Sequence, residues 1–171
     1  MPTQKSIPAL WEEILDLNRR LGEKHLEQQF EPGASDIEID VVERALGFPL
    51  PEDLRASFRT HSVVYTPWIG EIAPAFGLLP NIAEVIRDVN ELLGPAPVLK
   101  LWPGTKTPVF GLGVIPLSSD DPLLGYDLDP GEGGTVGQIV ELSLEFGDYK
   151  VLAPSLTAFL EQGIACLKRQ L

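Results

Sequence analysis

Residues Val114–Leu144 read VIPLSSDDPLLGYDLDPGEGGTVGQIVELSL. Short apolar runs bounded by turn-forming residues predict three strands here: Val114 to Leu117, Leu123 to Leu128 and Val136 to Leu144. An acidic loop separates the first two, and a glycine-rich turn separates the last two. The charge pattern is as telling as the strands. No Lys or Arg occurs from Thr107 to Tyr149, whereas Asp120, Asp121, Asp127, Asp129, Glu132, Glu141, Glu145 and Asp148 all fall in that interval. Two readings follow. Acids on strand faces and turns keep a sheet soluble and stop it pairing with its neighbours. The same acids could form a binding surface for a basic partner.

Helical patterns flank this region. Upstream, Ser6 is placed to cap a helix and Pro8 fits its first turn. Ile7, Leu10, Trp11, Ile14, Leu17 and Leu21 then recur at helical spacing, so Trp11 reads as core. A loop with a Pro32-Gly33 turn leads to Ser35 and Glu38, the S-x-x-E capping box of a second helix. That helix is expected to pack Ile37, Val41, Val42, Ala45 and Leu46 and to stop at Gly47. Pro51 opens a third helix, with Glu52 and Asp53 in its first turn, where the helix dipole favours acids. Leu54, Phe58 and His61 are expected to share its inner face. A fourth helix is predicted over Ile82 to Leu93. The β-region then runs from Val109 to Leu152, and a final helix, about Pro154 to Leu171, presents Leu156, Phe159, Leu160, Ile164 and Leu167. Helices, then a run of strands, then one closing helix argue for an α+β fold. The sheet is expected to be mainly antiparallel, packed against the N-terminal helices and one C-terminal helix, in a single domain over residues 1–171.

Composition narrows the function. The chain has 171 residues, enough to close a core, and a net charge of −12. That charge argues against direct binding to nucleic acid or to an anionic membrane. The single cysteine, Cys166, permits no internal disulfide and no multi-cysteine zinc site; near the end of the last helix it reads as a small buried hydrophobe. No run approaches the roughly eighteen apolar residues that cross a bilayer. The N-terminal stretch lacks the apolar core of a signal peptide, so a cytoplasmic location is expected.

Catalytic patterns are missing. There is no G-x-S-x-G elbow, no P-loop and no H-E-x-x-H, and His25 and His61 lie in different predicted helices. Gly131, Gly133, Gly134 and Gly137 lead into a strand and not into a helix, so they read as a turn and not as a phosphate loop. Asp127-x-Asp129-x-Gly131 shares part of a calcium-loop pattern, but the further ligands are out of register. Alternation would place Asp127 and Asp129 on one strand face and Tyr126 on the other. His61, at a helix end, reads as a structural group that complements the dipole, with a base as the competing reading. Trp68 and Trp102, in irregular segments, are read equally as loop anchors or as binding anchors. No cofactor and no metal are expected.

The order of these features resembles the SUKH superfamily, the group that includes the yeast cell-wall synthesis regulator and many bacterial toxin-immunity proteins. The resemblance is carried by Trp11 in the first helix, the Pro32–Ser62 segment with its L-P-x-D-L and His61, and Phe76-Gly-Leu-Leu-Pro80. It continues through Val114–Leu117, Gly125–Pro130 and Gly137–Val140, and ends in Ala153–Leu160, so it covers nearly the whole chain. It implies a binding protein and not an enzyme: an antidote that blocks a basic, nuclease-like toxin domain. On that reading Asp120, Asp121, Asp127, Asp129 and Glu132 form the charged patch, and Tyr65, Trp68 and Trp102 are candidate apolar anchors. Two other functions compete: a regulatory scaffold that recruits a cellular partner, and a small-ligand binder or enzyme using a cleft near His61, Trp68 and Tyr126. The identity of the partner and the oligomeric state are left open by the sequence.

Overall fold

The computed structural model describes residues 5–22, 32–46, 49–61, 63–64, 76–77, 114–116, 123–143 and 149–171. The predicted fourth helix, the Gly47 stop and the segments carrying Tyr65, Trp68 and Trp102 lie outside these residues. The chain divides into two compact units, residues 1–79 with 157–171, and residues 80–156. The fold is α+β, with helices in the first unit and an antiparallel sheet in the second.

In the first unit, helix α1 (Ile7–Arg20) begins as its sequence predicts. The Ala9 N–H donates to Ser6 Oγ at 3.4 Å, and Pro8 occupies the first turn. Ile7, Leu10, Trp11, Ile14 and Leu17 are buried along one stripe. Burying each of these leucines or isoleucines is worth roughly 1.5–3 kcal/mol. Asn18, also buried, donates its side-chain amide to the Ile14 carbonyl at 2.9 Å. Helix α1 packs on α3 (Glu52–Thr60), which buries Leu54, Ser57 and Phe58. A buried indole needs an acceptor, and the Trp11 Nε1–H donates to Ser57 Oγ at 2.8 Å.

Helix α2 (Asp36–Leu46) opens with the expected capping box. The Ser35 N–H donates to Glu38 Oε2 at 2.7 Å, and the Glu38 N–H donates back to Ser35 Oγ at 3.4 Å. Two members of its expected inner face are corrected. Ile37 is 74% exposed and Val41 55% exposed, while Ile39 is fully buried; the side chains of Val42, Ala45 and Leu46 lie outside the described ones. The turn before α2 lies against the end of α3, where the Ala34 N–H donates to the Phe58 carbonyl at 2.7 Å. A Cβ on Gly33 would stand 1.7 Å from the Arg59 carbonyl oxygen, so only glycine permits this approach. Glu43 of α2 accepts from the Leu50 N–H at 2.8 Å and pairs with Arg55 of α3.

Two short strands, β1 (Val63–Val64) and β2 (Phe76–Gly77), pair antiparallel in the same unit. The closing helix α4 (Leu156–Lys168) buries Leu156, Phe159, Leu160, Ile164 and Leu167, as the periodicity predicts. Cys166 is half-buried, and its sulfur accepts from Arg169 Nη2 at 2.8 Å.

The second unit holds an antiparallel meander in the order β3-β4-β5-β6: Val114–Pro116, Leu123–Asp127, Gln138–Leu142 and Tyr149–Ala153. Each of the three predicted strands is present, with β4 and β5 slightly shorter than expected. Leu128 and Val136 fall in the turn, and β5 begins only after Gly137. Gly137 has φ +86°, and a Cβ there would meet the Tyr126 hydroxyl at 2.8 Å, so the tyrosine covers a position open only to glycine. Asp127 pairs with Gln138 and Tyr126 with Ile139 across β4 and β5. Against β6, Ile139 pairs with Ala153 and Val140 with Val151, leaving Leu152 as a bulge. Alternation therefore puts Asp127, Gln138, Val140, Tyr149 and Val151 on one face. Tyr126, Ile139, Glu141 and Lys150 lie on the other, where Lys150 Nζ stands 3.8 Å from Glu141.

Candidate protein-binding surface

The turn between β4 and β5 is built around one carboxylate. Asp127 Oδ1 accepts the Asp129 N–H at 3.0 Å, which folds the chain back after the strand. Its Oδ2 accepts Gln138 Nε2 at 2.9 Å and the Tyr149 hydroxyl at 2.8 Å. Gln138 Nε2 also donates to the Tyr149 oxygen at 2.5 Å, and Gln138 Oε1 accepts the Thr135 N–H at 3.1 Å. Three side chains on β4, β5 and β6 thus tie both ends of the turn to the sheet. Burial, reinforced by the hydrogen bond to Asp127 and by its charge, pushes the Tyr149 hydroxyl well above its ordinary value.

This network corrects one member of the expected acidic patch. Asp127 is fully buried, with both oxygens committed to internal donors, and presents no charge at the surface. Asp129 does not continue the strand; it sits half-buried in the turn. Glu132 is exposed, as are Gly133, Gly134, Thr135 and Val136. The structure therefore brings Asp129 and Glu132 together on one turn with Asp127 behind them. Asp120, Asp121, Tyr65, Trp68 and Trp102 lie outside the described residues.

Beside the turn runs a groove of about 460 Å³, which sequence reasoning missed. Its walls are the turn from Gly131 to Thr135, Gln138, Tyr149, and the segment from Val151 to Pro154. It depends on the register of β5 with β6 and on the Leu152 bulge, for which no local pattern stands in the sequence. The exposed glycine-rich turn was its only legible part.

His61 belongs to the helical unit. It follows the last turn of α3, half-buried, and its ring meets the Trp11 indole edge-on with centroids 5.9 Å apart. Among the described residues, no group of three or more His, Cys, Asp or Glu is placed to hold a metal ion. Also among them, no helix is long and apolar enough to cross a membrane.

Comparison with curated proteins returns no match. The model of the SMI1/KNR4 family (SUKH-1) matches residues 33–162. That span runs from the turn before α2, through α3 and the meander, into α4, and takes in more than half of the sequence. The chain belongs to the SMI1/KNR4 family (SUKH-1).

Proposed function

We propose that this chain is a protein-binding module without catalytic activity: an immunity protein that binds and blocks a basic, nuclease-like toxin domain through an acidic surface. The whole chain, residues 1–171, would act as one SUKH-like domain, in the cytoplasm where such a toxin does its damage. The observation that carries this reading is the interval from Thr107 to Tyr149, with eight acids and no Lys or Arg. A site evolved to hold a polyanion attracts such a surface, and docking there excludes the substrate. Asp129 and Glu132 on the β4–β5 turn are the described members of the surface. Asp120 and Asp121 would extend it, with Tyr65, Trp68 and Trp102 as apolar anchors.

The test is capture of the partner from the native cell by the tagged chain, eluted along a rising salt gradient. The expected partner is a basic domain released only at high salt. Asp129→Lys with Glu132→Lys should weaken its binding by about tenfold or more, chiefly through slower association. A doubly reversed chain that holds the same partner equally well at low and high salt would overturn the acidic-surface reading. A neutral partner released independently of salt would replace immunity with a scaffolding role.

A further inference from the structure

We propose that the groove between the β4–β5 turn and β6 is a receptor for one arginine side chain of the protein partner. This inference rests on the protein-binding reading above and assigns that surface a specific pocket. At about 460 Å³ the groove falls in the size range of small-ligand sites. One wall, from Val151 to Pro154, is apolar apart from its backbone and suits the methylene stem of a long side chain. Tyr149 also lines it, and its ring is held in place because the hydroxyl donates to buried Asp127. An immobilised aromatic ring stabilises a cation placed over its face. Glu132 supplies a carboxylate on the turn, and no Lys or Arg is among the described lining residues. Lys150, although adjacent to Tyr149 and Val151, lies on the opposite sheet face beside Glu141. An apolar stem channel, a fixed ring and a carboxylate together suit guanidinium better than ammonium. The planar guanidinium stacks on the ring and bonds the carboxylate with two parallel N–H groups.

The probe is a blocked glycine–arginine–glycine peptide, titrated into the full-length ¹⁵N-labelled chain and followed by backbone amide shifts. Its control is the citrulline peptide, which keeps the shape and removes the charge. The arginine peptide should bind saturably, with a dissociation constant on the order of millimolar for so few atoms. Shifts should concentrate on the amides of Gly131 to Thr135 and Tyr149 to Ala153, and the citrulline peptide should bind several-fold more weakly. Glu132→Gln, an exposed change, should weaken arginine binding about two- to fivefold. Equal binding of the citrulline peptide overturns the proposal. So do shifts spread without saturation over exposed acids such as Glu12, Asp16 and Glu161, or an unaltered response in Glu132→Gln. Salt-dependent partner capture without any arginine response would sink the groove alone. Saturable arginine binding by a chain whose doubly reversed variant still holds its partner would sink the acidic-surface reading together with the groove's part in partner binding.

Discussion

Asp127 accepts three hydrogen bonds while shut away from water, from the Asp129 N–H, the Gln138 amide and the Tyr149 hydroxyl. A buried carboxylate so surrounded is an internal fastener, and its loss should appear in stability before it appears in binding. Asp127→Asn keeps the shape but replaces one acceptor by an NH₂ group, which then faces donors it cannot satisfy. The expected cost is about 1–3 kcal/mol, read as a lower urea midpoint with an unchanged slope. Partner affinity should be retained wherever the variant is folded. A lost affinity with an unmoved midpoint would return Asp127 to the surface patch. Base rates misled the sequence reading here, since acids are rarely fully buried. One local cue was available: an Asp two residues before the chain must turn commonly bonds the backbone at that point. Its other partners, eleven and twenty-two residues away, follow only from strand register.

Among the elements, α2 shows where periodicity runs short. Its apolar residues stand at 37, 39, 41, 42, 45 and 46, and such a set is compatible with more than one inward face. Tertiary packing chose the face through Ile39. Accordingly Ile39→Ala should cost about 2–4 kcal/mol through the cavity it leaves, whereas Ile37→Ala should stay within about 0.5 kcal/mol. Chemical denaturation of the two variants side by side checks this, and equal losses would restore the original stripe. The caps of α1 and α2 were fully legible, because each depends on residues three apart in sequence. Strands β3, β4 and β5 were legible for a similar reason, their apolar runs being bounded by turn residues. Strand β6 lay inside the predicted β-region without standing out as a strand, since the Leu152 bulge breaks its alternation.

For the molecule as a whole, the order of the described elements and the family were legible, because both depend on sequence order and not on exact register. The balance of charges was legible only as a total. In a chain of net charge −12 most acids repel one another, yet Glu13 on α1 is held by cations from both ends of the chain. Lys168, in the last turn of α4, stands 2.7 Å from Glu13 Oε1, and Lys5 pairs with Oε2. The hydrogen bond from Lys168, then that from Lys5, holds this carboxyl below its ordinary value. A carboxyl whose folded value is depressed binds fewer protons in the folded than in the unfolded state. Its contribution is therefore complete above the ordinary carboxyl range and is lost as pH falls through the folded value. Both lysines remain more than half exposed, so solvent screening limits the contribution to about 1 kcal/mol or less. Removing one acid from an acidic chain also relieves some repulsion, which trims the difference further. Glu13→Gln should thus be slightly less stable than the parent at neutral pH and low salt. The gap should close both in acid, once Glu13 is protonated in either state, and at high salt. Urea midpoints of the two chains across that pH range decide the matter: a gap that persists in acid would mean that Glu13 acts through packing, and that the link between α1 and α4 is not electrostatic.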